Sequence, residues 1–309
     1  MHNLKDSTSR STKRNNLVMI IEYDGTNYFG WQSQPNRRSV QSVLTQGLSS
    51  VLNQPVVLHA SGRTDAGVHA LGQVANCHVE LNLDIPTLFR ALNSYLPPDI
   101  RVTHLQEVSL SFNARKDATS KEYHYWMYCG CQFPVFLRHY MFYPGNFQID
   151  WPLLKECINL FIGEHDFTAF SASGSSVINM VREIHQFEVY DYQNGFLSFR
   201  IVGNGFLYKM VRILLGEIWM VQLGKKKIED LQLALSQPNR GKHRLCLPPH
   251  GLYLARVFYP DYDFWESDHL SPSFPFFLSK KDSIFKLKNK NPCYFSILKI
   301  HERLKMPSS

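Results

Sequence analysis

The chain has 309 residues, of which 44% are apolar and 13% aromatic, and a formal net charge of +7. This composition excludes a disordered chain and leaves room for more than one folding unit. No apolar run approaches the ~20 residues needed to cross a bilayer, and residues 1–16 lack the apolar stretch of a secretion signal. The charge sits at the ends. Residues 1–16 carry +3 and residues 266–309 carry +4, so residues 17–265 are formally neutral. A body that binds a polyanion must then gather its basic groups on one face, with Arg37-Arg38, Lys225-Lys226-Lys227 and Arg240-Lys242-Arg244 as candidate runs. The six cysteines form no C-x-x-C pair and read as reduced thiols of a cytoplasmic chain. Cys129 and Cys131, with His124 and His139, fit no common zinc spacing, so no metal is expected.

In chain order, residues 1–16 read as a disordered basic tail. Leu17 to Tyr23 is a buried strand turned by Asp24-Gly25. Ser39 is a helix N-cap, followed by Val40, Val43, Leu44, Leu48, Val51 and Leu52 on one face. Strands follow near 56–60 and 72–79, then a helix opened by Pro86 and stopped by Pro97-Pro98, then a strand from Ile100 to Val108. This βαββαβ-like order predicts an antiparallel N-terminal half over residues 17–116. A second half over 117–265 begins with an aromatic strand, Thr119 to Tyr128. A helix from Asp150-Trp151-Pro152 comes next, then a hairpin of 184–192 and 196–202 about Asn194-Gly195. A long helix, Phe206 to Leu223, and a late strand, Leu252 to Phe258, complete it. Residues 266–309 read as an extension of unknown role, with a short helix near 294–305.

The chemistry concentrates in a few strings. Gly62-Arg63-Thr64-Asp65-Ala66-Gly67-Val68-His69-Ala70 places a cation and a carboxylate within one turn, between glycines that permit close backbone approach. Tyr23-Asp24-Gly25-Thr26-Asn27-Tyr28-Phe29-Gly30-Trp31-Gln32 alone would be a strand with an aromatic hairpin. Ser111 to Arg115 leads into Lys121-Glu122-Tyr123-His124-Tyr125, where strand alternation puts Tyr123 and Tyr125 on one face and His124 on the other. In Gly203 to Arg212, Arg212 falls among Met210, Val211, Ile213, Leu214 and Leu215. A guanidinium there requires a carboxylate partner or a route to solvent. Pro248-Pro249-His250-Gly251-Leu252-Tyr253-Leu254 introduces the late strand.

Together these strings resemble the TruA family of tRNA pseudouridine synthases over roughly residues 17–260. The resemblance implies an α+β pseudouridine synthase fold: two similar halves with mainly antiparallel sheet, and helices flanking a central active-site cleft. It makes Asp65 the nucleophile, Tyr123 the residue that stacks on the base and handles a proton, and Arg212 the ion-pair partner of Asp65. Arg63, Leu252 and His69 join Tyr123 in substrate binding: Arg63 holds the flipped nucleotide, Leu252 forms an apolar floor, and His69 orders the loop or meets RNA. The implied reaction isomerises uridine to pseudouridine at positions 38, 39 and 40 of the tRNA anticodon stem-loop after base flipping, without a cofactor. The implied partners are tRNA and a second copy of the chain, with no membrane. Asn76-Cys77 and Lys209 depart from residues frequent in the family, which bears on RNA contacts rather than chemistry. Two alternatives share the fold: a catalytically idle tRNA-binding protein or chaperone, and a paralogue modifying other RNA uridines. A carboxylate-dependent glycosidase would need a second, paired acid, and no such motif is present.

Overall fold

The computed structural model describes residues 14–174, 178–239 and 244–265. The readings made for residues 1–13 and for the extension 266–309 lie outside them, as do Arg240 and Lys242. Strand β1 (Arg14–Tyr23) is covered along almost its whole length. It pairs antiparallel with β3 (His69–Glu80) on one side and with β4 (Ile100–Val108) on the other. The strand starts at Arg14, inside the stretch that reads as a tail. Asn15 and Asn16 extend it because their amides are satisfied. Asn16 donates to the carbonyls of Ser109 and Phe112 and accepts from Asn76, while Asn15 donates to Glu107.

Helix α1 (Val40–Leu52) is capped by Ser39, which forms a reciprocal pair with Ser42, and ends at Asn53 in the left-handed conformation. A short β2 (His59–Ala60) pairs with β3. Helix α2 (Ile85–Tyr95) is capped by Asp84, carries Pro86 in its first turn and stops before Pro97. The second half holds β5 (Ser120–Tyr128), α3 (Trp151–Asn159, capped by Asp150) and β6 (Gly163–Asp166). It continues with β7 (Val181–Asp191), β8 (Phe196–Gly203), α4 (Met210–Gln222), α5 (Ile228–Ser236) and β9 (Leu252–Phe258).

The sheet order is β4-β1-β3-β9-β5-β8-β7-β6, with β2 beside β3. All pairings are antiparallel except β3 with β9, so the mainly antiparallel α+β expectation holds. The two halves do more than face one another. They share one sheet, closed by the last strand, which joins β3 in parallel and β5 antiparallel. Helices α1 and α2 pack together in the first half, and α3 packs on α4 in the second.

Three local features differ from the sequence reading. Helix α4 begins at Met210 rather than Phe206, because Lys209 adopts φ 60°, which no right-handed helix accommodates. The β7–β8 turn uses Gln193, Asn194 and Gly195, all at positive φ, and is longer than a two-residue hairpin loop. Helix α5 had no counterpart; it buries only Leu231 and Ala234 and starts within a lysine run. Among the described residues, no helix is long and apolar enough to cross a membrane.

Candidate active site

The loop between β2 and β3 carries Asp65, and its backbone is held from three sides. From within the first half, Gln73 accepts from the Ser61 hydroxyl at 2.7 Å and donates to the Gly62 carbonyl at 2.9 Å. From the aromatic segment after β1, Trp31 N–H donates to the Thr64 carbonyl at 3.1 Å and Gly67 N–H donates to the Tyr28 carbonyl at 3.3 Å. The Tyr23 hydroxyl lies 2.8 Å from the Thr64 hydroxyl. Gly30, at φ 82°, makes the close approach possible: a Cβ there would run into the Thr64 carbonyl oxygen. From the second half, Pro249 covers Gly67, with its Cγ 3.0 Å from where a Cβ would stand.

Arg212 reaches this loop from the first turn of α4. Its Nη1 donates to Asp65 Oδ2 at 2.8 Å, and its Nε donates to the Leu247 carbonyl at 2.7 Å. Leu247 N–H returns a bond to the Arg212 carbonyl at 3.1 Å. Arg212 is only 9% exposed, so the alternative of a guanidinium reaching solvent from a helix edge does not apply. The carboxylate and a backbone carbonyl together satisfy the buried cation. The Asp65 side chain is 20% exposed, and among the described residues no hydrogen bond engages its Oδ1.

Tyr123 sits beside this pair. It is 8% exposed, and its ring meets Phe206 edge-on at 5.1 Å. Burial, then the nearby Tyr23 and Asp65, push its pKa well above the ordinary phenol value. A phenol so placed stays protonated at neutral pH and can donate a hydrogen bond. Tyr125 lies on the same face but is a core residue, its hydroxyl donating to the Pro248 carbonyl at 2.9 Å. Leu252 opens β9 opposite Tyr125 and is 6% exposed. Arg63 is exposed, and no hydrogen bond or ion pair engages it among the described residues.

His69 sits behind the loop. Placed among the substrate-binding residues by resemblance, it is 2% exposed and occupied at both ring nitrogens. Nδ1 faces the Gly25 N–H at 3.1 Å and Asp24 Oδ1 at 3.2 Å, and Nε2 lies 2.9 Å from the His139 carbonyl oxygen. The ring stacks on Tyr253 at 4.7 Å between centroids. It ties the start of β3 to the turn after β1, leaving no ring atom to meet RNA.

The basic runs also lose members to internal contacts. Arg38 bonds the Tyr28 hydroxyl, and Lys226 and Arg244 both pair with buried Glu217. Reading the sequence missed Tyr23, Thr64 and Leu247 as supports of the site. Tyr23 and Thr64 both stood in the strings singled out, but their pairing across 41 positions was not visible.

A family model described as tRNA pseudouridine synthase matches residues 19–115 and 157–260. The tRNA pseudouridine synthase A of Caldicellulosiruptor saccharolyticus is 42% identical over 245 residues, covering 79% of this chain and 99% of that protein. That of Anoxybacillus flavithermus is 42% identical over 244 residues, covering 79% and 98%. The tRNA pseudouridine synthase A 1 of Protochlamydia amoebophila is 41% identical over 247 residues, covering 78% and 95%. With a family model spanning most of the chain and relatives at 41% identity or more along nearly their whole length, the chain belongs to the tRNA pseudouridine synthase family.

Proposed function

We propose that Asp65 is the nucleophile with which this chain isomerises uridine to pseudouridine in tRNA, at positions 38, 39 and 40 of the anticodon arm. The observation that carries this reading is the Asp65–Arg212 pair, which joins residues 147 positions apart at 2.8 Å and leaves Asp65 Oδ1 unengaged among the described residues. Arg212 fixes the direction of the carboxylate, and the free oxygen attacks the nucleotide. That attack forms a C–O bond to the nucleotide; the N1–C1′ bond breaks, the uracil turns, C5 bonds to C1′, the bond to Asp65 breaks and returns its electron pair to the carboxylate, the C5 proton leaves to solvent and N1 gains one. Atoms and charge balance without a cosubstrate.

A paired base cannot reach Asp65 inside a stem, so the uridine is flipped out. Tyr123 receives the uracil on its ring and donates from its protonated phenol. Leu252 floors the pocket. Exposed Arg63 follows the base into the vacated stack and offsets part of the unstacking cost. The enzyme works in the cytoplasm as a homodimer, with tRNA spanning both copies. Mapping pseudouridine in an unmodified tRNA carrying uridines at 38, 39 and 40 and elsewhere tests the substrate assignment. Modification confined to those three positions is expected. Modification only at other uridines overturns it.

A further inference from the structure

Lys121 is the second residue of β5, two before Tyr123, so both side chains leave the same face of the strand. Its ammonium lies over the Asp65 loop: a Cβ on Gly62 would stand 3.1 Å from Lys121 Nζ. Asp65 is three positions on from Gly62, at most about 10 Å of chain even if fully extended. On the other side, Lys121 pairs with Gly203 in the β5–β8 register, next to the loop that delivers Phe206 to Tyr123. Arg182 crosses that loop, its Nε 3.4 Å from where a Cβ on Gly205 would be.

The two charges that act on Lys121 are of one sign. Arg115 and Arg182 are the groups that act electrostatically on Lys121, and Arg63 adjoins Gly62 in the chain. Among the described residues, Arg182 bonds the carbonyls of Asn179 and Val181. Among the described residues, no carboxylate pairs with Lys121. Four other covered cations have a carboxylate partner: Arg212 has Asp65, Arg200 has Glu122, and Lys226 and Arg244 share Glu217. Burial, then the two arginines, lower the Lys121 pKa to about 8. A half-buried ammonium facing two guanidiniums is unfavourable by itself, and an incoming anion relieves it.

We propose that Lys121, backed by Arg115 and Arg182, binds a backbone phosphate of the tRNA strand immediately beside the flipped uridine. This rests on the pseudouridine synthase reading and adds to it a site that holds the nucleotide by its phosphate. A phosphate contact positions the strand without reading sequence, which suits an enzyme that serves adjacent uridines of different context.

The test measures tRNA affinity against salt for wild type, Lys121→Met and Lys121→Arg, with thermal melting as the check on folding. Loss of one phosphate contact is expected to weaken binding about tenfold at low salt and to flatten the log–log salt slope by about 0.7 to 0.9. Lys121→Arg is expected to keep the wild-type slope. A methylphosphonate placed on either side of the target uridine then locates the contact. On one flank it is expected to weaken wild type while leaving Lys121→Met unchanged, because both lesions remove the same interaction. Unchanged affinity and slope in a folded Lys121→Met overturns the proposal, as does full additivity with both methylphosphonates. Tritium release from C5-labelled uridine by wild type is followed in parallel. Its absence would defeat the enzymatic reading while leaving the phosphate contact to stand or fall on the slope.

Discussion

At the level of single residues, the site depends on a buried arginine with two jobs. Arg212 holds the Asp65 carboxylate through Nη1 and the Leu247 carbonyl through Nε. Arg212→Met removes both and leaves Asp65 facing apolar neighbours, so kcat should fall about 100-fold or more, with some loss of stability. Arg212→Lys keeps the charge but cannot make both bonds, and its kcat should lie between the two. Tyr123→Phe keeps the ring against Phe206 and removes only the donor. Turnover should therefore drop while tRNA affinity stays within about twofold of wild type, as steady-state and binding measurements would show. Gly30→Ala places a side chain at φ 82° against the Thr64 carbonyl. It should cost on the order of 1 to 3 kcal/mol in denaturant unfolding and lower activity by shifting the Asp65 loop.

At the level of elements, α4 anchors the segment that closes the site. Glu217, on this helix, is 0% exposed. It pairs with Lys226 and Arg244 and accepts the Leu245 N–H at 3.1 Å. That fixes the chain leading to Leu247 and Pro249. Glu217→Ala strands two cations and an amide, so a loss of about 3 to 5 kcal/mol in chemical unfolding is expected. On the opposite face of β5 from Tyr123, Glu122 is buried between His124 and Arg200. Burial alone would raise its pKa, but hydrogen bonds from His124 and Arg200 outweigh that and bring it to about 2. Because the folded value lies below the unfolded one, the stabilisation is complete above the ordinary Glu pKa and is lost as pH falls from about 4.5 toward 2. Stability curves for wild type and Glu122→Gln should converge across that window and stay apart at neutral pH.

At the level of the whole molecule, what was legible in the sequence was what is local. Ser39, Asp84 and Asp150 each announced a helix start, because capping is a contact of a residue with its own next turn. The bounds of β4 and β9 followed from apolar runs between turn residues. What alternation cannot carry is pairing between distant strands. The parallel register of His69 with Tyr253 and Ala70 with Leu254 joins the halves into one sheet, and no periodicity encodes it. The apolar neighbours of Arg212 called for a carboxylate partner or a route to solvent, and the choice of Asp65 came from resemblance to a family. His69 shows the opposite case: a motif residue that supports the loop from behind, with both nitrogens already taken. The Lys121 cluster escaped notice because Arg63, Arg115, Lys121 and Arg182 are spread over about 120 positions and only the fold brings them together.

The central claim is that Asp65, held by Arg212, performs the chemistry. Tritium release from tRNA carrying uridine labelled at C5, compared between wild type and Asp65→Asn, tests it most directly. Release by wild type and none by a folded, tRNA-binding Asp65→Asn is the predicted result. Normal release by that variant would contradict the account.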